Sequence, residues 1–465
     1  MVRPASLTFL DRRRILMTSG NLAPDRPHVA AASAQAAPLV NAKRAWGMTG
    51  LVVFLYVVNY ADKAVLGIIA QPLARELGLT SAQIGMVGSL FFLTFVVGGF
   101  LAGPMAKYMS LRWALVVLAV AWSLVMLPLV IAASLTMLLV SRMLLGFFEG
   151  PSSALMHTAV YSWHPPAKRG LPGALLAGSA SVAKIALAPV LAFVTVEFGW
   201  RAAILSLSGL GALWLMCWLL GWVEGPFTAK AAKAAPADEA VEGQVPKHAE
   251  PNVPLRRIFL SRTFLSCTFL LMSVYALTTV VLTWLPSYFE VGLGYSALQA
   301  GSLFAVPSVV GLALMIVSGA VTDRMIQRGA TSRVVRIIVP CAGVIFCGGV
   351  LASLPVIGTP ALVVGLLSLG YGFAAIVFPL VNAAISELCP PQQTAHTMGV
   401  FLALVAVGGL IAPYATGVIV DNAATKADGY ALAFQSIGII SAIAAVAVLL
   451  LANPDRDRAR IRAAA

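Results

Sequence analysis

The chain has 465 residues, of which 60% are hydrophobic and 11% are charged, and its formal net charge is +13. Together with a mean hydropathy of +0.91, this composition excludes an ordinary soluble protein and indicates a polytopic membrane protein. The basic residues are dispersed over short loops rather than gathered on a soluble domain, so the positive charge does not indicate nucleic-acid binding.

Apolar windows of about 20 residues, the length that crosses a bilayer, predict twelve transmembrane helices. In chain order, predicted spans 1 to 12 cover residues 47–70, 83–106, 113–132, 135–160, 171–195, 201–222, 263–289, 297–321, 333–354, 360–386, 393–420 and 430–452. The sequence therefore predicts an all-α membrane protein with two pseudo-symmetric six-helix bundles, at 47–222 and 263–452.

Three segments lie outside these bundles. Residues 1–46 are rich in Arg, Ala and Pro without an apolar run, so they are predicted to form a disordered tail rather than a signal peptide, and Met17 is a possible alternative start. Residues 223–262 mix Lys, Glu, Ala and Pro and form a central loop, and 453–465 form a second tail.

The basic residues also predict the orientation in the membrane. With both termini in the cytoplasm, 25 of the 31 Lys and Arg residues lie in cytoplasmic segments, against three (Arg75, Arg201 and Lys426) on the opposite side. Because cytoplasmic loops carry an excess of Lys and Arg, this asymmetry favours cytoplasmic termini.

The two halves of the chain share proline positions at nearly equal offsets. Pro165-Pro166 recurs as Pro390-Pro391 and Ala188-Pro189 recurs as Ala412-Pro413, at offsets of 225 and 224. These offsets favour a duplicated bundle, the construction of many transporters. The alternative is coincidence, since prolines are common in membrane helices and at loop edges.

Five ionisable side chains lie inside predicted spans, where lipid contact would cost about 2.5–3.5 kcal/mol for each. They are Asp62 and Lys63 in span 1, Arg142 and Glu149 in span 4, and Lys184 in span 5. We therefore expect these side chains to meet one another or to line a hydrated cavity.

Their spacing predicts which of them lie together. Arg142 and Glu149 are seven residues apart on one helix face, about 10 Å along the axis, and are too distant to pair. Spans 1 and 4 run in opposite directions, so Arg142 falls at the depth of Asp62, and Glu149 lies nearer the level of Asn59. Lys184 lies near the bilayer middle.

The summed charge predicts a link between protons and anions. With both carboxylates ionised the five side chains sum to +1, and protonation of one carboxylate raises the sum to +2. Proton binding thus improves the site for an anion, and by linkage a bound anion raises the proton affinity of the carboxylate. The alternative is a permanent structural network of Asp62, Lys63 and Arg142. Lys184 either contacts a more highly charged substrate or snorkels along its helix.

Other chemistries find no support in the sequence. There is no Gly-x-x-x-x-Gly-Lys-Ser/Thr motif, so ion gradients rather than ATP are the expected driving force. The cysteines and histidines are scattered without the spacing of a metal or redox site, and no nucleophile and base are grouped as in an enzyme. We expect neither a cofactor nor a metal.

Several motifs together resemble the major facilitator superfamily and, within it, the anion:cation symporter family of organic-acid carriers. They are Asn59-Tyr60-Ala61-Asp62-Lys63; Arg142, Gly146, Glu149, Gly150 and Pro151; Trp163, Pro165, Pro166, Arg169 and Gly170; Gly199-Trp200-Arg201; Trp284-Leu285-Pro286 and Tyr288; and Gly319, Asp323, Arg324, Arg328 and Gly329. The resemblance covers nearly the whole chain after the first tail.

One loop departs from the pattern of that superfamily. Between spans 2 and 3, Lys107 stands where the gating motif Gly-x-x-x-Asp-Arg would have its Asp. The second copy, at Gly319–Arg324, is intact. The resemblance therefore implies a gating role for Asp323, Arg324 and Arg328, whereas the first copy lacks the Asp of the motif.

The resemblance implies a non-enzymatic transporter that imports an organic anion, such as a sugar acid, by proton symport with alternating access. Glu149 would carry the proton, Asp62 would be a second coupling carboxylate, and Arg142 would clamp the substrate. We also expect Lys63, Tyr60 and Asn59, which lie beside Asp62, to contact the substrate. Lys184 matches no charged residue of the family pattern, and its contact with the substrate is one of the two alternatives given above. We expect a monomer in the bacterial inner membrane, with the lipid bilayer and the anion as its partners. The alternative within transport is a proton-driven efflux antiporter of small organic molecules.

Overall fold

The structure, a computed structural model, describes residues 41–165, 168–227, 253–390 and 393–463, and those residues form helices without strands. The α-helices in chain order are α1 Ala42–Leu77, α2 Ser81–Gly99, α3 Ala102–Tyr108, α4 Leu111–Val125, α5 Leu127–Ile131, α6 Leu135–Glu149, α7 Ser152–Tyr161, α8 Gly170–Val182, α9 Ala188–Phe198, α10 Trp200–Gly221, α11 Leu255–Phe259, α12 Arg262–Ser287, α13 Ala297–Leu303, α14 Val306–Gln327, α15 Val339–Ser353, α16 Pro360–Ala375, α17 Val377–Ser386, α18 Thr394–Asn422, α19 Lys426–Leu451 and α20 Pro454–Arg462.

Eleven helical stretches in the described residues are long and apolar enough to cross a membrane, which confirms the all-α polytopic fold. They correspond to every predicted span except span 4. Span 4, predicted as one helix over 135–160, is divided into α6 and α7 because the chain turns at Gly150-Pro151. Proline lacks the N–H that a continuous helix requires, so the break follows immediately after Glu149.

Three spans contain a π-helical turn, in each case close to a proline. The turns are Ala183–Leu187 before Pro189, Tyr288–Gly292 after Pro286, and Val334–Ile338 before Pro340. Proline has no N–H to donate to the helical hydrogen-bond ladder. A local change of hydrogen-bond register lets the neighbouring backbone carbonyl groups find other donors. The turn in span 5 contains Lys184.

Glycines allow neighbouring helices to approach until their backbones touch. A Cβ on Gly146 would overlap the carbonyl oxygen of Phe91, and a Cβ on Gly98 would overlap that of Phe147, so α2 and α6 are in close contact. A Cβ on Gly85 would likewise overlap the carbonyl oxygen of Pro413 in α18. Since lipid gives little hydrophobic drive for helix association, such close packing is a main source of cohesion between membrane helices.

The alternating spans leave two loop faces, which we name by the chain ends. The termini face holds the start of α1 and the segment at 253–262, and the far face holds the loop at 78–80 and the loop at 293–296. Membrane-crossing helices alternate in direction, so each connection changes face in turn.

The hydrogen bonds and ion pairs that join the two halves, within the described residues, lie between mid-membrane and the far face. On the far face, Arg75 pairs with Glu290 at 2.7 Å, and Asp421 accepts from the N–H groups of Ser81 and Ala82 at 2.9 and 2.6 Å. On the termini face, the contacts of Thr49 with His164 and of Gln393 with Val253 each lie within one half. The molecule is thus closed at its far face.

Some predictions fall on residues that the structure does not describe. They are residues 1–40 of the predicted tail, residues 228–252 of the central loop, Pro166, Pro391 and the side chain of Asp323.

Candidate functional site

Span 4 provides a carboxylate that meets a lysine of span 1 inside the protein. Lys63 Nζ lies 3.0 Å from Glu149 Oε2, and the two side chains are 8% and 0% exposed. The same ammonium donates to Oδ1 of Asn59, one helical turn earlier on α1. Because both partners are buried, loss of either charge would leave the other without its counter-charge. Glu149 therefore faces the protein interior and not lipid.

Arg142 lies seven residues closer than Glu149 to the far-face end of α6. Its guanidinium contacts a backbone carbonyl and an aromatic ring. Its Nη1 donates to the carbonyl oxygen of Asp62 at 2.9 Å, and its Cζ lies 4.7 Å from the ring centroid of Phe91. The expected approach of Arg142 to Asp62 is therefore made through the backbone, because no ion pair or hydrogen bond of the Asp62 carboxylate is present among the described residues. The Nε atom of Arg142 is buried without a hydrogen-bond partner there.

Helix α2 supplies one aromatic ring to each cation, Phe91 to Arg142 and Phe95 to Lys63, and we call these two rings the aromatic cover. The ring centroid of Phe95 lies 5.1 Å from Lys63 Nζ, and Tyr60 adds a second ring at 4.7 Å. The quadrupole of an aromatic ring attracts a cation at these distances. The cover depends on the close packing of α2 and α6 at Gly146, since a larger residue would push Phe91 away.

A chain of hydroxyl groups extends from this cluster toward the termini face. Tyr60 Oη donates to Tyr56 Oη at 3.5 Å, and Tyr56 Oη donates to Ser153 Oγ at 3.0 Å. Asn59 is fully buried, and its Nδ2 has no hydrogen-bond partner among the described residues. The Asn59 amide thus lies beside both Lys63 and Glu149 and can donate to an acceptor in the cluster.

Lys184 lies on a different helix and faces the other half of the molecule. Its side chain is 8% exposed, and its Nζ lies 5.7 Å from the ring centroid of Tyr371 in span 10. Single aromatic residues in membrane helices are usually packing groups, so the sequence alone does not single out Tyr371.

The residues predicted to form the gate lie on the termini face, away from the cluster. Arg324 and Arg328 have exposed side chains at the end of α14. Lys107, in the departing copy of the motif, is exposed and has its ammonium 5.0 Å from the ring centroid of the adjacent Tyr108. Their gating role stays a prediction.

The loop behind span 4 is fixed to the start of α1. His164 Nε2 lies 2.8 Å from Oγ1 of Thr49, whose own hydroxyl donates to the carbonyl of Ala45. Burial, followed by the charge of Arg169, lowers the pKa of His164. A neutral imidazole that donates through Nε2 matches this arrangement, and Arg169 holds the same loop through the carbonyls of His164 and Tyr161.

Sequence comparisons identify relatives across nearly the whole chain. The chain is 26% identical over 412 residues to the hexuronate transporter of Bacillus subtilis (strain 168), which covers 87% of this chain and 94% of that protein. It is also 26% identical over 423 residues to the D-galactonate transporter of Escherichia coli O6:H1, which covers 87% and 95%. A probable sulfoacetate transporter of Cupriavidus necator is 26% identical over 430 residues, which is 89% of this chain and 96% of that protein.

Solved structures share the fold at lower identity. The D-xylose-proton symporter superposes with a TM-score of 0.71 at 16% identity, covering 89% of this chain and 99% of that one. A bacterial homolog of the human lysosomal transporter Spinster gives the same TM-score at 16% identity, with 90% and 97% covered. The sequence model of the Major Facilitator Superfamily matches residues 52–413 and 336–465. These relatives are transporters and not enzymes, and the chain belongs to the Major Facilitator Superfamily.

Proposed function

We propose that the protein imports an organic acid anion together with protons by alternating access. The observation that carries this proposal is the buried ion pair of Lys63 and Glu149. When Glu149 binds a proton the ion pair is lost, and Lys63 becomes available to a carboxylate of the substrate. An anion that draws Lys63 away leaves the Glu149 carboxylate without its counter-charge, and so favours its protonation. Proton and anion binding are then mutually reinforcing.

Arg142 is the second cation of the proposed anion site. Its Nη1 is committed to the Asp62 carbonyl, which fixes the plane of the guanidinium, while Nε is without a partner among the described residues. A planar fork held in this way can donate further hydrogen bonds to a carboxylate. Asn59 and Tyr60 would contact the polar groups of the substrate, and Asp62, whose carboxylate has no ion pair in the described part of the chain, would take a second proton.

The relatives support an acid as the substrate. Their names specify hexuronate, D-galactonate, galactarate or D-glucarate, and sulfoacetate, each of which is an acid that is anionic at neutral pH. We infer a sugar acid or a similar carboxylate for this chain. Protons would be the coupling ion, without a cofactor, and a monomer would be sufficient because the site is built within one chain.

We place the termini face in the cytoplasm of a bacterial inner membrane, because the Lys and Arg residues concentrate there. The closed far face would then be the periplasmic gate. Opening of that face would require a latch on the termini face, for which Asp323, Arg324 and Arg328 are the candidates. Rocking of the two bundles between these states would expose the site to each side in turn.

The test of the proposal is Glu149→Gln in purified protein reconstituted into liposomes. We expect the variant to lose accumulation of labelled D-galactonate or hexuronate driven by an imposed pH gradient, while exchange with the same acid inside the vesicle persists. Glutamine keeps the shape of the side chain but cannot release a proton. Glu197→Gln is the matched control, because Glu197 is exposed at the far end of α9 and should leave both activities unchanged.

Concentrative uptake by Glu149→Gln at the wild-type rate would remove Glu149 from the coupling role. If an inward proton gradient drives the substrate out of the vesicle, the protein is an antiporter and not a symporter. Absence of transport of any acid by the folded wild-type protein would contradict the proposed function itself.

A further inference from the structure

Lys184 is a buried cation for which the described residues provide no anion. Its side chain is 8% exposed, and within the described residues no carboxylate lies within ion-pair distance of its ammonium. The contact recorded for it is the ring of Tyr371, at 5.7 Å. A cation–π contact compensates only partly for removal of an ammonium from water. Lys63 is different, because Glu149 neutralises it.

The position of Lys184 excludes the snorkelling alternative. Gly170 begins and Phe198 ends the helical stretch, so fourteen residues separate Lys184 from either end. At 1.5 Å per residue this is about 21 Å, well beyond the reach of a lysine side chain toward either membrane surface. The ammonium therefore stays at mid-depth and turns inward, toward span 10.

Lys184 also lies level with the site proposed above. Lys63 is fourteen residues from the far end of α1, and Glu149 is fourteen residues from Leu135, where α6 begins at the far face. The π-helical turn that contains Lys184 packs against α1. Lys63 and Glu149 are in direct contact, and Lys184 lies as many residues from the far end of its helix as Lys63 does, so the three side chains are at similar depth in the membrane.

We propose that Lys184, together with Tyr371, binds a second acidic group of the substrate, which is therefore an organic dianion. Lys63 and Arg142 would hold one acidic group and Lys184 the other, with the carbon chain between them. With Glu149 protonated, the three cations and Asp62 sum to +2, which a dianion neutralises completely. This inference rests on the proposed function, because it assigns the dianion to that same site.

The test compares pairs of acids that differ in one acidic group. D-Glucarate has a carboxylate at both ends, and D-gluconate has one; sulfoacetate and acetate form a shorter pair. Affinities are measured by titration calorimetry on the purified wild-type protein at pH 6. We expect at least one dianion to bind tenfold or more tightly than its monoanionic partner.

Lys184→Gln should reduce the affinity for the preferred dianion at least tenfold and that for the monoanion less than twofold. Lys184→Arg should retain most of the preference, because it keeps the charge. A merely structural lysine would give a variant that weakens both acids equally. Gel filtration and thermal melting establish that each variant is folded.

The outcomes separate the two levels of the proposal. Equal affinity for both members of each pair in the wild type, or an unchanged preference in Lys184→Gln, would overturn the dianion assignment while leaving proton-coupled transport of a monoanion intact. Failure of the folded wild-type protein to bind any of the four acids would contradict both proposals. Tyr371→Phe is a further variant, and it should weaken the dianion less than Lys184→Gln does, because the ring stays in place.

Discussion

At the scale of single residues, the buried cations differ in how much of their bonding capacity the protein uses. Lys63 is engaged by Glu149 and Asn59, and Lys184 by one aromatic ring. Arg142 is intermediate, because one guanidinium nitrogen binds the Asp62 carbonyl and the plane lies against Phe91. Buried donors are normally paired, so Lys184 and Arg142 keep hydrogen-bonding capacity that a bound anion would use.

Arg142→Lys tests whether geometry or charge matters at that position. Lysine keeps the charge but replaces the planar fork by a single ammonium, which would stay on the Asp62 carbonyl. We expect the affinity for the transported acid to fall about tenfold, or roughly 1.4 kcal/mol, with normal expression. Isothermal titration of the purified variant measures this. Arg112→Lys is the control, since Arg112 also donates to a carbonyl, that of Leu219, but outside the site.

At the scale of helices, the close contact of α2 with α6 determines where the aromatic cover lies. Gly146→Ala would place a Cβ on the carbonyl oxygen of Phe91 and push α2 outward. We expect a loss of about 1–3 kcal/mol in stability, the usual cost of overpacking, and weaker binding of the acid as Phe91 leaves Arg142. Thermal melting in detergent and titration check both effects.

Gly365→Ala is the matched control for that substitution. Gly365 is exposed in span 10, and no atom lies within 4 Å of the position of a new Cβ. Its melting temperature should be unchanged or slightly higher, because alanine has the better helix propensity. Equal changes of melting temperature in the two variants would show that the effect of Gly146→Ala does not depend on the contact with α2.

Helix positions follow closely from hydropathy, whereas helix irregularities do not. Predicted spans at 333–354 and 430–452 compare with observed helices at Val334–Ser353 and Lys426–Leu451, because a bilayer demands a long apolar run wherever the chain crosses. The break at Gly150-Pro151 and the π turns leave the hydropathy unchanged. A nearby proline indicates that the helical hydrogen bonds are disturbed, but it does not indicate whether a break or a π turn results.

The candidate site was predictable in its residues but not in its pairing. Insertion cost alone selects the charged positions, and the observed contact of Lys63 with Asn59 is one that a spacing of four residues on a helix permits. The depths of Arg142 and Asp62 along their helices predict that the two residues lie side by side, and the structure shows them in contact. The pairing of Lys63 with Glu149, and the use of the Asp62 carbonyl rather than its carboxylate, depend on side-chain directions between helices, which no single-helix periodicity contains.

At the scale of the whole molecule, polar contacts between the halves gather on the far face. Asp421 of α18 accepts from the first two N–H groups of α2, and so serves as a cap supplied by the opposite half. The ion pair of Arg75 and Glu290 lies on the same face. If alternating access operates, these contacts must break whenever the far face opens.

Asp421→Ala should therefore shift the molecule toward a far-face-open state. Loss of two partly exposed hydrogen bonds to a charged acceptor corresponds to about 1 kcal/mol, or roughly a fivefold change in the ratio of the two states. Spin labels at Glu197→Cys and Lys426→Cys, on exposed far-face positions of opposite halves, measure the shift as a growing population of longer distances. Asp428→Ala is the matched control, because Asp428 bonds only to Thr425 at the start of its own helix within the described residues. Distance distributions that are the same in both variants and in the wild type would show that Asp421 does not hold the far face closed.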